Sequence, residues 1–124
     1  MLVDDEPGIL QITERVLHKL GYRPIAYNQS LAALEAFRQD PERFHLVLTD
    51  LTMPKLSGLE LARQIHGVRA DVPIILSTGA SRELVEEQGR QAGVRSFLRK
   101  PYNGRELASV LQACLAGATL PKPR

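Results

Sequence analysis

Five side chains in this sequence have the types that metal-assisted phosphoryl chemistry requires. Asp4 and Asp5 are adjacent carboxylates, and Asp50 is a third carboxylate that directly follows an apolar run. Thr78 offers a hydroxyl and Lys100 a cation, again at the ends of short apolar runs. If the fold brings these residues together, they form one site.

The chemistry of that site follows from its charges. Three carboxylates within a few ångströms repel one another, so protons or cations must share their charge. Oxygen ligands of this kind suit Mg²⁺, which binds through one or two carboxylates and keeps waters that a phosphate can replace. Lys100 adds a fixed cation, and the Thr78 hydroxyl can donate to a phosphoryl oxygen. The set therefore predicts transfer of a phosphoryl group to an aspartate nucleophile.

The segments around these residues alternate between strand and helix patterns. Short apolar runs bounded by turn residues predict strands, and apolar residues at helical spacing between start and stop signals predict helices. The predicted strands cover residues 1–3, 23–27, 44–49, 73–77 and 94–99. The predicted helices cover residues 7–20, 30–40, 57–65, 81–92 and 103–115.

Polar residues mark several of the helix starts. Ser30 is predicted to cap the second helix. The pairs Ser57 with Glu60 and Asn103 with Glu106 have the spacing at which two side chains cap each other's backbone.

This alternation predicts an α/β fold, a doubly wound five-stranded parallel sheet with helices on both faces. Parallel strands need a crossover, which is usually a right-handed helical one, and the order 2-1-3-4-5 suits a chain of 124 residues. Ligands of such sheets bind beyond the carboxyl ends of the strands. The five residues named above are therefore expected to converge on one edge of the sheet.

Length and composition narrow the class of protein. A chain of 124 residues is expected to form one domain, over residues 1–116, with 117–124 as a tail or linker because two prolines lie there. No apolar run approaches the roughly 20 residues that span a bilayer, and the start lacks the pattern of a signal peptide. The 16 basic and 14 acidic residues are scattered, so no charge run tracks a nucleic acid. We expect a cytoplasmic domain that binds neither nucleic acid nor membrane by this segment.

The histidines and the cysteine are not predicted to act in the site. His18, His45 and His66 lie on different elements without the spacing of metal ligands. Cys114 lies on the apolar stripe of the last helix, which indicates a core thiol rather than a reactive one. A single cysteine also fits a reducing compartment.

The order of these motifs resembles that of response-regulator receiver domains in two-component signalling, which have a flavodoxin-like fold. The similarity extends over about residues 1–115, and each motif lies at a predicted strand end. The motifs are Val3-Asp4-Asp5-Glu6-Pro7, Asp50-Leu51-Thr52-Met53-Pro54 with Gly58, Ser77-Thr78-Gly79 and Lys100-Pro101.

The resemblance implies a role for each matching position. Asp50 would be the phosphorylated residue, Asp5 a direct Mg²⁺ ligand, Asp4 a ligand through water and the Thr52 carbonyl a further ligand. Lys100 would contact the phosphoryl group and precede a cis peptide bond. The residue that follows this bond is Pro101.

The resemblance also implies a phosphodonor and an output. The donor would be a phosphohistidine on a histidine kinase or a phosphotransfer domain, and the domain would catalyse its own phosphorylation and dephosphorylation without turning over a metabolite. Thr78 and Phe97 match the pair that move together on phosphorylation and shift the surface of the fourth helix, fifth strand and fifth helix. That surface is also the expected dimerisation face, and the output is partner binding or a phosphorelay.

Two features of the sequence bear on the protein to which this domain belongs. Only Met1, Leu2 and Val3 precede the acidic pair, so the domain is expected to be cut at its start. This short start and the segment 100–107 resemble receivers attached to hybrid sensor histidine kinases. The chain is therefore either a single-domain regulator or the receiver part of a larger protein.

Four alternatives remain at this point. Asp50 could simply cap the following loop, and Asp4 and Asp5 could cap the first helix. A Mg²⁺-dependent aspartate phosphohydrolase shares the nucleophile, but those enzymes typically place a second aspartate two residues later, where this chain has Thr52. A histidine phosphotransfer domain would use His18 or His66 in a helical bundle. A pseudo-receiver would bind partners without accepting phosphate.

Overall fold

The chain folds around a sheet of five parallel strands. The computed structural model describes residues 1–79 and 82–119. The strands are β1 (Leu2–Val3), β2 (Ala26–Tyr27), β3 (Val47–Asp50), β4 (Ile74–Thr78) and β5 (Ser96–Arg99). Their order is β2-β1-β3-β4-β5, and all four pairings are parallel. The predicted fold class and strand order are confirmed.

Five helices in the described residues cover the two faces of the sheet. They are α1 (Pro7–Lys19), α2 (Ser30–Gln39), α3 (Gly58–Val68), α4 (Arg82–Gln91) and α5 (Gly104–Thr119), with a 3-10 turn at Pro41–Arg43. Because this is an α/β sheet and not a helical bundle, the phosphotransfer-domain alternative is wrong. None of the described helices is both long and apolar enough to cross a membrane.

Alternation along the strands separates two apolar cores. Successive side chains of a strand point to opposite faces, so Ile74 and Leu76 of β4 pack on one side and Ile75 on the other. The first core is closed by α2 and α3, through residues such as Phe37 and Leu61. The second core is closed by α1 and α5, through residues that include Leu17, Leu107, Leu111 and Cys114.

Several predicted boundaries were wrong by a few residues. Strand β3 starts at Val47 rather than 44, because the buried Phe44 and Leu46 pack into the cores without belonging to the strand. Helix α3 continues to Val68, beyond the predicted end at 65. The predicted start of the fourth helix at Ser81 lies outside the described residues.

The last helix extends into the predicted tail at 117–124, and the division into a domain and a tail stays a prediction. Helix α5 runs through Gly117 to Thr119, since a single glycine near a helix end costs only about 1 kcal/mol relative to alanine and the surrounding alanines favour helix. The rest of the predicted tail, residues 120–124, lies outside the described residues.

The capping predictions had mixed outcomes. Asn103 and Glu106 cap each other in both directions, at 2.9 and 2.8 Å. Ser57 accepts from the Glu60 amide as predicted, whereas the Glu60 carboxylate turns to the side chains of Arg63 and Gln64. Ser30 is not a cap.

Ser30 instead ties the start of α2 to the loop after β3. It is the first residue of the helix, it is buried, and its hydroxyl donates to the Pro54 carbonyl at 3.4 Å. The prediction failed because this partner comes from a distant loop that packs over the helix start.

Arg69 joins two loops at the opposite, amino edge of the sheet. Its Nη1 donates to the carbonyl oxygens of Pro41 and Phe44 at 2.9 and 2.7 Å, and its Nε donates to Asp71 at 2.8 Å. We expect Arg69→Met to lower the free energy of unfolding by roughly 2 kcal/mol, because two part-buried carbonyls lose a charged donor. Urea denaturation measures this change.

The matched control for this prediction is Arg63→Met. Arg63 is exposed and forms an ion pair with Glu60 on the same helix, so its loss should change the free energy of unfolding by less than about 0.5 kcal/mol. Equal effects of the two variants would show that the Arg69 contacts do not stabilise the fold.

Candidate active site

Three carboxylates converge where β1 and β3 end. Val3 pairs with Thr49 in register, so Asp4 and Asp5 emerge from β1 beside Asp50, the last residue of β3. One oxygen of each carboxylate lies within 4.8 Å of the others. Asp4 and Asp50 are 5% and 7% exposed, which leaves little water to screen their repulsion.

Lys100 supplies a cation to this acidic cluster. It directly follows β5, and its main-chain N–H donates to the Thr78 carbonyl at 2.8 Å. Its Nζ lies 3.0 Å from Asp50 Oδ1 and 3.3 Å from Asp4 Oδ2. The peptide bond from Lys100 to Pro101 is cis, as the resemblance to receiver domains implies.

Burial and charge compete in setting the protonation of this cluster. Burial raises the pKa of Asp50 above its ordinary value, and the hydrogen bond from Lys100 only partly offsets that effect. Burial acts to lower the pKa of Lys100, but the hydrogen bond to Asp50 and the charges of Asp50 and Asp4 raise it overall. The ammonium therefore stays charged at neutral pH, whereas the Asp50 carboxylate carries an electrostatic cost that a further cation would relieve.

Asp4 also has a local structural role. Its Oδ1 accepts from the Glu6 amide at 3.0 Å, while its other oxygen, Oδ2, faces Lys100. The capping alternative is wrong for α1, because this bond closes a turn ahead of the helix and the N-cap residue, Glu6, makes no side-chain capping bond. It does not account for the convergence of the three carboxylates.

The loop after β3 brings the start of α3 into close contact with the backbone of Asp50 and Leu51. The amide of Gly58, at the start of α3, donates to the Leu51 carbonyl at 2.7 Å. A Cβ atom at Gly58 would overlap the Asp50 carbonyl oxygen and would lie 2.9 Å from Leu51 Cα. In the loop between Leu51 and Gly58, Lys55 has a positive φ of 69° and Thr52 is exposed. The role of the Thr52 carbonyl as a metal ligand stays a prediction.

The predicted switch pair lies on neighbouring strands. Thr78 ends β4 and is buried, and Phe97 on β5 is half-buried and opposite Leu76. The Phe97 ring packs on Gly89 of α4, where a Cβ atom would come 2.7 Å from ring atom Cε2. This contact joins the ring to α4, but coupled movement of the pair stays a prediction.

Two residues near the site were missed in the sequence. The hydroxyl of Thr49 donates to the Asp50 carbonyl at 3.0 Å from a fully buried position. Tyr102, just after the cis peptide, is half-buried, and burial raises the pKa of its hydroxyl, an effect that the Thr13 side chain partly offsets. For Thr49, the sequence did contain a signal: a hydroxyl residue at the end of an otherwise apolar strand, directly before Asp50.

The other candidate residues lie away from the site. His18, His45 and His66 are exposed, and none belongs to the acidic cluster. Cys114 is buried on α5, and burial raises the pKa of its thiol, so the prediction of a core thiol is confirmed.

Comparison with known proteins agrees with this geometry. Residues 1–112 match the family model described as the response regulator receiver domain. Among curated relatives, a homologue of the transcriptional regulatory protein CpxR from Haemophilus influenzae is 31% identical over 98% of this chain and 52% of its own length. The two-component response regulator ARR10 of Arabidopsis thaliana is 30% identical over 98% of this chain and 22% of its own length. The chain thus spans about half or less of these relatives.

Solved structures show the same architecture. A receiver domain protein from Clostridium thermocellum superposes with a TM-score of 0.90, at 27% identity over 96% of this chain and 94% of that one. The receiver domain of sensor histidine kinase PA1611 from Pseudomonas aeruginosa, which holds a magnesium ion in its active-site cleft, superposes with a TM-score of 0.83. Its identity is 30%, over 93% of this chain and 94% of that one. With its fold, its acidic cluster and its lysine, this chain belongs to the response-regulator receiver family.

Proposed function

We propose that Asp50 accepts a phosphoryl group from a phosphohistidine on a histidine kinase or histidine phosphotransfer domain. One observation carries the proposal: the Asp50 carboxylate lies within 4.8 Å of ligand atoms of Asp4 and Asp5 and 3.0 Å from Lys100 Nζ. Three anions around one ammonium leave a net negative site, which suits a divalent cation and, with it, a phosphoryl group.

The donor set fits Mg²⁺ because all its members are oxygens. Asp5, which is half-buried, would bind the ion directly, Asp4 through a water, and Asp50 and the Thr52 carbonyl would complete the protein ligands. When bound, the ion would offset negative charge on the phosphoryl oxygens. The magnesium-bound cleft of the PA1611 receiver domain supports this assignment by similarity.

Three residues of the chain have separate roles in the transfer of the phosphoryl group. An oxygen of Asp50 forms the new bond to phosphorus while the bond from phosphorus to the imidazole nitrogen of the donor breaks, and the electron pair stays on that nitrogen. Lys100 neutralises charge on the phosphoryl oxygens, and the Thr78 hydroxyl donates to one of them. Lys100 Nζ already lies 3.0 Å from Asp50 Oδ1, so it is placed to contact a phosphoryl group on that carboxylate.

The output that we propose is a population shift rather than a catalytic product. Thr78 moves toward the phosphoryl group, and Phe97 changes position against Gly89, which alters the face formed by α4, β5 and α5. That face then binds a partner or a second copy of the chain, or the phosphate is relayed onward. The phosphoryl transfer takes place in the cytoplasm. The free, buried thiol of Cys114 supports this location.

We further propose that the chain is either a single-domain regulator or the receiver part of a larger protein, with a hybrid sensor histidine kinase as one form of parent. The similarity to the PA1611 receiver supports that parentage. The partial coverage of the curated relatives supports a multidomain parent in general. A phosphohydrolase is less well supported, because exposed Thr52 offers no carboxylate in the position of the second aspartate.

Intact-mass measurement after incubation with acetyl phosphate tests the proposal. We expect one added phosphoryl group that depends on Mg²⁺, and none in Asp50→Asn, which keeps the size of the side chain but removes its nucleophilic carboxylate. Circular dichroism of both proteins confirms that they are folded. A folded wild type that gains no mass would overturn the proposal and favour a pseudo-receiver, and a gain in the variant would place the acceptor elsewhere.

A further inference from the structure

Thr49 is a buried polar residue whose position needs a physical reason. Its exposed fraction is 0%, and it lies in β3 between Leu48 and Asp50, in register with Val3 and Leu76. A hydroxyl in such surroundings costs free energy unless it is hydrogen-bonded, and valine has nearly the same shape without that cost. The hydroxyl is satisfied by donating to the Asp50 carbonyl at 3.0 Å.

That bond holds one end of the peptide unit that follows the acceptor residue. The unit consists of the Asp50 carbonyl and the Leu51 N–H. Thr49 binds the carbonyl, and the N–H donates to the Ser77 carbonyl of β4 at 2.9 Å. Gly58 closes the remaining side, because even a methyl group there would overlap the Asp50 oxygen. Hydrogen bonds at both the carbonyl and the N–H therefore fix the orientation of this peptide unit.

We propose that Thr49 is a positioning residue for the phosphoacceptor, acting through the Asp50–Leu51 peptide. The peptide orientation sets the direction in which the Asp50 side chain leaves the backbone, toward Lys100 and Asp4. It also sets the course of the chain toward Thr52, whose carbonyl is the proposed further metal ligand. Part of this inference rests on the proposed function, since positioning matters only if Asp50 binds a metal and reacts.

The test compares variants that differ by one hydroxyl. Thr49→Val and Thr49→Ala lack the hydroxyl, whereas Thr49→Ser keeps it and loses a methyl group. Three quantities are measured: hydrogen exchange of the Leu51 amide in metal-free protein, the Mg²⁺ concentration at half-saturation from amide chemical shifts, and the rate of mass gain with acetyl phosphate. The free energy of unfolding of each variant is measured beside them.

In both variants without the hydroxyl, we expect the Leu51 amide to exchange faster than in the wild type. We also expect Mg²⁺ affinity and the rate of mass gain each to fall roughly tenfold. Thr49→Ser should stay within about twofold of the wild type in all three quantities, even where its stability falls as much as that of Thr49→Val. Thr49→Ser and Thr49→Ala differ by a single oxygen atom, so this pair decides the question if Thr49→Val packs poorly.

Two results would overturn the inference. One is Mg²⁺ binding and amide exchange in Thr49→Val that match the wild type. The other is a loss in Thr49→Ser as large as in Thr49→Ala, since that would trace the effect to packing. Failure of the proposed function is distinguishable, because a wild type that gains no phosphoryl group still yields the exchange and Mg²⁺ measurements.

Discussion

Replacing Lys100 with methionine is expected to slow phosphoryl transfer to Asp50 by roughly a hundredfold to a thousandfold, the cost of losing one preorganised charge at a reacting group. Methionine keeps the length of the side chain but removes the ammonium that lies 3.0 Å from Asp50 and 3.3 Å from Asp4. The measurement is the rate of mass gain with acetyl phosphate at saturating Mg²⁺. Lys19→Met, which removes an exposed lysine at the end of α1, serves as the control and should be unchanged.

The same substitution should make the metal-free protein more sensitive to pH. Burial raises the pKa of Asp50 in the folded chain, so the folded state holds this proton more tightly than the unfolded state, and stability falls as pH rises above the ordinary carboxyl value. Without Lys100 the pKa of Asp50 should rise further, and the fall should become larger. The raised pKa of Lys100 also makes stability fall as pH rises, but in another pH range: its stabilisation of the wild type is complete below the ordinary lysine value and is lost only at strongly alkaline pH.

Urea denaturation with a chelator present, at about pH 5 and about pH 8, checks this prediction. The difference in unfolding free energy between wild type and Lys100→Met should be larger at the higher pH. A difference that does not change with pH would show that the ammonium does not offset the charge of Asp50 in the folded protein.

Gly58→Ala is expected to lower the free energy of unfolding by about 3 kcal/mol or more, the range of a severe steric clash. The new methyl group would overlap the Asp50 carbonyl oxygen and crowd the Asp50 carbonyl carbon and Leu51 Cα at 2.9 Å each. All three atoms are backbone, so no side chain can rotate away. The higher helix propensity of alanine, worth about 1 kcal/mol, offsets only part of this cost.

The control for Gly58→Ala lies in the same helix. A Cβ atom at Gly67 meets no atom within 4 Å, so Gly67→Ala should be neutral or should stabilise the protein by up to about 1 kcal/mol. Because the clash moves the backbone of Asp50, Gly58→Ala should also weaken Mg²⁺ binding. If both alanine variants unfold at the same urea concentration, the close approach of α3 to the end of β3 does not constrain the site.

Local patterns were enough to predict the elements and the place of the site. The short apolar runs before Asp4, Asp50, Thr78 and Lys100 form strands, of which β1, β3 and β4 are buried. Parallel strands put their carboxyl ends at one edge of the sheet, so the convergence of these side chains could be predicted from the sequence. The mutual capping of Asn103 and Glu106 was predictable for the same reason, because both partners belong to one helical turn. The sequence by itself thus determined the fold class, the acidic cluster and its cation.

Contacts between distant segments were decided only by the tertiary structure. Ser30 looks like a cap until the loop at Pro54 packs over it, and Arg69 looks like a surface residue until the carbonyls of Pro41 and Phe44 come within reach. The direction of the Asp50 pKa shift could not be predicted either, since burial and Lys100 act against each other and only the depth of the site decides which prevails. The partner of the Thr49 hydroxyl and the crowding at Gly58 depend in the same way on how closely α3 packs against the end of β3. A pattern in the sequence records which residues lie on a strand, whereas distances of this kind arise only when separate elements are packed together.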